Sequence, residues 1–272
     1  MAELGDVESI FLTDVPQDVR SRLFAYATDH HLSIILKPAM NDVLISTARR
    51  RFEANMPTLK VGLGAAPLSV RIVKRAMDIM ISGLLLILFS PVMAVVALMI
   101  KQEDHGPAFY RQKRLTMGGK VFEIIKFRSM RVDAEKDGVA RLASENDDRI
   151  TKVGRMIRAT RLDELPQLWN IFKGDMSLVG PRPERPEIAA QYLKELPQFD
   201  ARLQVKAGLT GYAQVNGKYN TTPEDKLQMD LMYISDMSIH QDIKLILQTV
   251  HTMLKKESTE GIETGKTTAM KN

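Results

Sequence analysis

The chain has 272 residues, 44% of them apolar and 26% charged, with a formal net charge of +5 and no cysteine. Its length and apolar share allow one domain with a sizeable core, or one and a half, and exclude a disordered chain. The lack of cysteine excludes disulfides, thiolate zinc sites and cysteine nucleophiles, and the basic balance points either to a polyanionic partner or to a solvated basic surface.

The N-terminus M-A-E-L-G-D-V-E is acidic and no apolar stretch follows it, so no secretory signal is expected there. Residues 1–54 read as a small α/β piece. Ser9–Leu12 has the look of a short strand, and residues 17–30 place Val19, Leu23, Phe24 and Ala27 at helical spacing. Residues 32–36 alternate too little for an edge strand and read as a buried one. Residues 55–70 hold two prolines and two glycines and read as a linker.

The strongest physical feature follows. From Ile79 to Ile100 there are 22 residues without a charge, which makes about 33 Å of helix, enough to cross a bilayer. A fully buried core helix is the competing reading. Ser90-Pro91 lies at the midpoint, where proline removes a backbone donor and should bend the helix. Basic residues flank both sides, Arg71, Lys74 and Arg75 before it and Lys101, Arg111, Lys113 and Arg114 after it. A straight span would put one cluster outside, against the cytoplasmic preference of positive charge. A re-entrant helix over residues 71–101, entering and returning at Ser90-Pro91, keeps both inside.

Residues 102–256 are polar and hold no second span. Residues 111–131 carry seven Lys or Arg against one acid, Glu123, and a predicted strand at 121–125 leads into K-F-R-S-M. Ile150, Val153 and Ile157 form a stripe on a basic helix that fits an anionic membrane face and a protein core equally well. Ile239, Ile243, Ile246, Val250 and Leu254 mark a last amphipathic helix, and residues 257–272 are expected to be a disordered tail. Within that tail G-I-E-T-G-K-T resembles a nucleotide P-loop but is one residue too short between its glycines and follows no strand.

Chemistry is most concentrated in T-R-L-D-E-L-P-Q-L-W-N, residues 160–170. Pro166 suits a first helical turn, and Leu165, Leu168, Trp169 and Phe172 follow as an apolar stripe. Asp163 and Glu164 thus stand at a helix N-terminus, where acids are common in any case. Their surroundings make them more than an acidic helix start. Arg158 and Arg161 precede them, Lys126 and Arg128 lie upstream, and G-P-R-P holds Arg182 between Pro181 and Pro183. Basic residues converging on two acids suggest a site for phosphate and a hard divalent cation.

Six stretches in order carry a family resemblance: V-K-R-A-M-D-I with the apolar hairpin and its Ser-Pro, Y-R-Q-K-R, I-I-K-F-R-S-M, T-R-L-D-E-L-P-Q-L-W-N, G-D-M-S-L-V-G-P-R-P and G-L-T-G-Y-A-Q-V-N-G. Over about residues 70–255 the chain resembles the bacterial sugar transferases, the monotopic polyprenyl-phosphate sugar-1-phosphate transferases. The resemblance implies an α-rich α/β fold, with a re-entrant helical hairpin and a mostly helical catalytic domain at the membrane interface. It implies transfer of sugar-1-phosphate from a UDP-sugar to undecaprenyl phosphate, with release of UMP, as the first step of exopolysaccharide, capsule or O-antigen synthesis. Asp163 would be the nucleophile and Glu164 the Mg²⁺ ligand, while Arg158 and Arg182 would hold phosphate oxygens. The expected location is the bacterial inner membrane, with the catalytic domain on the cytoplasmic face and Lys74, Arg75, Ser90 and Pro91 in the anchor.

The chain departs from the family at Ala207-Gly208, where Pro-Gly is common, but keeps Thr210, Gly211 and Asn216. Residues 1–54 resemble the second half of the nucleotide-fold-like domain of longer members, so a partial domain is expected there, with pairing of two copies through it left open. A catalytically silent, membrane-anchored adaptor of a glycan-assembly complex is the alternative, and the intact Asp163-Glu164 pair argues against it. A nucleic-acid partner is not expected, because no basic patch is interleaved with aromatics and the apolar hairpin would go unexplained.

Overall fold

The computed structural model describes residues 8–13, 15–46, 48–53, 56–60, 66–134, 147–217 and 221–253. The 257–272 tail, its P-loop-like stretch and Leu254 lie outside them. The chain divides into two compact units, Met1–Val61 and Gly62–Asn272.

The first unit runs β1 (Ser9–Leu12), α1 (Gln17–Asp29), β2 (Ser33–Leu36), α2 (Met40–Ser46), β3 (Arg49–Glu53) and β4 (Met56–Lys60). β1 and β2 pair in parallel, Ser9 opposite Ser33, as a β-α-β connection requires. Leu12, Ala27 and Val43 are buried, but Phe11 and Ile35 stay exposed, so β2 is covered on one face rather than two. β3 and β4 form an antiparallel hairpin with Phe52 opposite Pro57. The stretch expected to be linker from residue 55 is therefore partly strand, because an outer strand of a two-stranded sheet can hold a proline that donates no hydrogen bond.

The second unit begins with α3 (Leu68–Asp104), 37 residues long. It continues through β5 (Phe109–Leu115), β6 (Val121–Phe127), α4 (Lys152–Ala159), a 3-10 turn at Leu162–Glu164, α5 (Gln167–Lys173), β7 (Ser177–Val179) and α6 (Pro186–Glu195). A 3-10 segment at Pro197–Gln204 leads to β8 (Gly208–Thr210), α7 (Tyr212–Asn216), α8 (Pro223–Ser235) and α9 (Ile239–Met253). β5 and β6 pair antiparallel and β7 and β8 pair in parallel, so among the described residues the unit is mostly helical with two small sheets.

α3 is long and apolar enough to cross a membrane. It stays helical through Pro91. The carbonyl that proline leaves without a partner, that of Ile87, accepts a hydrogen bond from the Ser90 hydroxyl at 2.8 Å. Leu84 and Ile87 are 65% and 76% exposed, but both ends of the helix pack onto the same unit. Near the start, Asp78 accepts from Leu178 N–H at 2.9 Å and from the Ser177 hydroxyl at 3.1 Å. Near the end, Val96 and Ile100 join Phe127 and Ile157 in a buried cluster, with Val153 and Leu162 packed against it. That cluster decides the two readings of the Ile150–Ile157 stripe: α4 faces the core.

Lys74 and Arg75, expected as basic anchor flanks, turn onto the protein. The Lys74 ammonium, buried, reaches Asp242 at 2.5 Å, Val179 O at 3.0 Å and the Tyr233 hydroxyl at 3.1 Å. Arg75 donates to Ile171 O and Phe172 O at 2.7 and 2.8 Å, closing the C-terminal end of α5. The Lys74 contact also sets the roll of α9. Asp242 and Leu245 point inward, and Ile243 and Val250 of the expected stripe are exposed. A buried ion pair outweighs the apolar periodicity there.

Candidate active site

The chain leaves α4 through Arg161 at φ 54°, a left-handed conformation that costs a non-glycine residue about 1 kcal/mol or more. It then enters the 3-10 turn holding Asp163 and Glu164. Leu162 packs into the core cluster from this turn, and hydrogen bonds three residues apart run from Glu164 N–H to Trp169 N–H through the start of α5. The acids are therefore fixed between an anchored leucine and a rigid helix start.

Two cations converge on one oxygen of Glu164. Lys126 Nζ lies 3.4 Å and Arg182 Nη2 3.2 Å from its Oε1. Each comes from its own support. Lys126 stands near the end of β6, whose outer edge is held by Asn170 of α5. The Asn170 amide oxygen accepts from Ile125 N–H at 3.0 Å and its amide donates to Glu123 O at 2.8 Å. Arg182 stands in the Gly180–Pro183 turn, which is held from four directions. Gly180 N–H donates to Thr210 O at 2.8 Å and Gly208 N–H to Pro181 O at 2.9 Å. Arg202, itself paired with Asp230 at 2.7 Å, donates to Arg182 O at 2.9 Å, and Arg114 donates to Pro183 O at 3.0 Å. A Cβ on Gly208 or Gly211 would collide with the backbone of Gly180, so the glycines of two separate motifs exist to let β7 and β8 approach.

The two acids are pushed apart. Burial, then the neighbouring Glu164 charge, raises the Asp163 carboxyl to about 6, against the pull of Lys126, Arg158 and Arg182. Burial would raise Glu164 too, but Lys126, Arg182 and Arg161 outweigh it and hold the carboxyl down to about 2. Neighbouring carboxylates with separated affinities for a proton mark a site with two roles. Among the described residues no three acidic or histidine side chains gather as a metal cage. The donor set still fits Mg²⁺, which commonly takes one or two carboxylates and completes its shell with water and substrate phosphate.

Of the residues expected from the sequence, the structure brings Lys126, Arg182, Asp163 and Glu164 together, and Arg158 acts electrostatically on Asp163. Pro181 and Pro183 are buried and carry two of the bound carbonyls. Arg128 has another task. Its guanidinium grips both oxygens of Asp104 at the end of α3 and donates to Pro107 O at 2.7 Å, tying α3 to β6. Sequence reasoning missed Asn170 and the Arg202–Asp230 pair. Asn170 closes the quoted motif yet no spacing rule singles it out, and Arg202 and Asp230 lie 28 residues apart with no local signal. Gln167, buried beside the acids in sequence, leaves its amide nitrogen without a hydrogen bond.

Residues 69–256 match the family described as bacterial sugar transferase. The chain is 40% identical over 206 residues to a UDP-glucose:undecaprenyl-phosphate glucose-1-phosphate transferase of Caulobacter vibrioides, covering 74% of this chain and 77% of that protein. It is 40% identical over 258 residues to the Escherichia coli protein of the same description, covering 92% and 55%. It is 41% identical over 185 residues to a UDP-N-acetylgalactosamine-undecaprenyl-phosphate N-acetylgalactosaminephosphotransferase of Aeromonas hydrophila, covering 67% and 44%. The matched region is thus about half the length of the last two relatives.

Proposed function

Because the chain belongs to the bacterial sugar transferase family, we propose that it transfers sugar-1-phosphate from a UDP-sugar to a polyprenyl phosphate, undecaprenyl phosphate, and releases UMP. The observation that carries this reading is the Asp163–Glu164 pair, with its opposed proton affinities, beneath Lys126 and Arg182. The Asp163 carboxylate attacks the phosphorus that bears the sugar. An Asp–O–P bond forms, the diphosphate P–O bond breaks, and UMP leaves with the bonding electrons. An oxygen of the lipid phosphate then attacks the same phosphorus and frees the carboxylate, leaving a polyprenyl-diphosphate sugar. Splitting the transfer in two lets a carboxylate handle donor and acceptor in turn.

Repulsion is the chief obstacle, since an anion attacks an anion. Arg182, Lys126 and Arg158 lower it by placing positive charge around the reacting phosphate. Glu164, ionised at any working pH, is the residue to hold Mg²⁺ together with substrate phosphate oxygens, and Mg²⁺ supplies charge neutralisation there. The relatives' descriptions name both glucose and N-acetylgalactosamine, which supports a UDP-linked hexose or N-acetylhexosamine as the donor to test first.

The second substrate is confined to a bilayer, and α3 suits an anchor for it. Its mid-section is apolar and exposed while both its ends dock on one unit. A straight crossing would separate the ends by the whole membrane, so a re-entrant path on the cytoplasmic face is favoured. Exposed Trp169 and Phe172 on α5, stacked at 5.9 Å, add an aromatic edge of the kind found at lipid headgroups. Products of this kind begin surface glycans such as exopolysaccharide, capsule or O-antigen. The test is UMP release by detergent-purified protein with undecaprenyl phosphate, Mg²⁺ and a panel of UDP-sugars. Release is expected with one sugar class and is expected to vanish in Asp163→Asn. Absence of release with every UDP-hexose and UDP-N-acetylhexosamine would overturn the reading.

A further inference from the structure

A second group of cations lies away from the acids, where the first turns of α3 meet the corner after α5. Gly174 turns that corner at φ 100°, and a Cβ placed on it would stand 3.0 Å from Arg75 Nη2 and 3.5 Å from Lys206 Nζ. The two cationic groups therefore face the same small space. Arg71 stands one helical turn before Arg75 on α3 and is exposed.

This space holds more positive charge than the protein neutralises. The Lys206 ammonium makes no hydrogen bond or ion pair among the described residues. Burial, then the Arg75 charge, pushes it below the usual lysine range, and Arg71 adds to this against Asp78 and Asp175. Those acids are already engaged, Asp78 with Ser177 and Leu178 and Asp175 with Lys173 at 3.2 Å. Like charges gathered beside acids that are bonded elsewhere are costly unless a further anion joins them. The location says which anion. Leu68, Ile72, Val73 and Met80 of α3 are exposed around Arg71 and Arg75, so the cations lie where the apolar helix surface begins. Arginine and lysine at such a border keep their stems along apolar surface and their heads at headgroup level, and basic pockets beside membrane helices take phosphate headgroups.

We propose that Arg71, Arg75 and Lys206, at the junction of α3 with the Gly174 corner, form a binding site for the phosphate headgroup of an anionic membrane lipid. The site rests on the reading of α3 as a membrane anchor and is separate from the catalytic acids. It fixes the depth and tilt at which the domain meets the bilayer by giving α3 a charged stop at its entry. Arg75 also ties the end of α5 to α3, so a bound headgroup braces the helix that starts at the acids.

The test uses the whole protein in nanodiscs of phosphatidylcholine containing none, 10% or 30% phosphatidylglycerol, with the melting temperature as readout. A ligand that binds the folded state raises that temperature with its concentration. A rise of several degrees is expected for the wild type. It should disappear in Arg71→Gln/Lys206→Gln and persist in a control that loses two exposed lysines elsewhere, Lys120→Gln/Lys152→Gln. Both variants leave Arg75 and the catalytic acids in place, and melting in pure phosphatidylcholine reports their folding. If the double variant folds poorly, Lys206→Gln alone should lose most of the rise. An equal response in all variants would show general attraction of charge and overturn the site. The same rise from inorganic phosphate in pure phosphatidylcholine discs would make free phosphate the ligand and overturn the lipid assignment. Failure to enter phosphatidylcholine discs at all would overturn the anchor and the site together, whereas entry without a phosphatidylglycerol response would overturn the site alone.

Discussion

Lys74, Asp242 and Tyr233 beneath α3 form one charged cluster withdrawn from solvent, and Lys126, Glu164, Arg182 and Asp163 form another in which Arg182 is exposed and the other three are half-buried. In the first every group is matched. The Lys74 ammonium has three partners, and the Tyr233 hydroxyl donates to Asp242 at 2.8 Å. In the second the balance is uneven. Two cations crowd one oxygen of Glu164, while Asp163 next to it is pushed toward the neutral form. Matched charge holds α3 to the domain, and in the proposed reaction a substrate phosphate would complete the uneven cluster, with Asp163 as its attacker.

Substitutions separate the two clusters. The largest effect belongs to Asp163→Asn, which should cut UMP release by about 10³-fold or more with no loss of fold. Activity near wild type would remove Asp163 from the chemistry. Next, Lys74→Met or Asp242→Asn should destabilise the protein by about 3–5 kcal/mol in a denaturant titration, because each strands a buried charge. Lys74→Met combined with Asp242→Leu should recover much of that loss, and an additive double variant would mean the pair is not coupled. Gly208→Ala, whose Cβ meets Gly180, should cost about 1–3 kcal/mol and loosen the Arg182 turn.

Smaller effects come from pH. On the proposed mechanism Asp163 attacks in its ionised form, so activity should rise with pH through about 6. Lys126 and Arg182 favour that form, so Lys126→Met or Arg182→Gln should move the limb upward by about one unit, checked in a pH–rate profile. The smallest effect is on stability. The Asp163 carboxyl holds its proton more tightly in the folded than in the unfolded chain. The folded state therefore carries no penalty below about pH 4, an increasing one between 4 and 6, and the full one above 6. Asp163→Asn should accordingly melt higher than the wild type at pH 7.5, by about 1–2 kcal/mol after allowance for solvent, and show no gain at pH 4.

Much of the second unit was legible in the sequence because its signals are local. The charge-free run of α3, the strand before K-F-R-S-M and the acid pair before Pro166 all follow from spacing and residue type. The partners were not legible, because they come from distant positions. Nothing near Lys74 indicates Asp242, 168 residues away, and that pair turned α9 off its apolar stripe. Nothing near Arg128 indicates that Asp104 would claim it. The hairpin of residues 49–60 was missed because Pro57 reads as a breaker until its strand is known to lie at an edge. Ser90-Pro91 was singled out for a bend, but the hydroxyl that satisfies Ile87 O requires the helix itself to be seen.

In the proposed reaction Asp163 takes the phosphosugar before the lipid does. The measurement is the intact mass of the protein after incubation with the active UDP-sugar and Mg²⁺, without polyprenyl phosphate. The expected result is one added sugar-phosphate, located on Asp163, absent from Asp163→Asn and discharged when undecaprenyl phosphate is added. UMP release in the complete reaction, with no adduct trapped under any quench condition and turnover retained in Asp163→Asn, would contradict it.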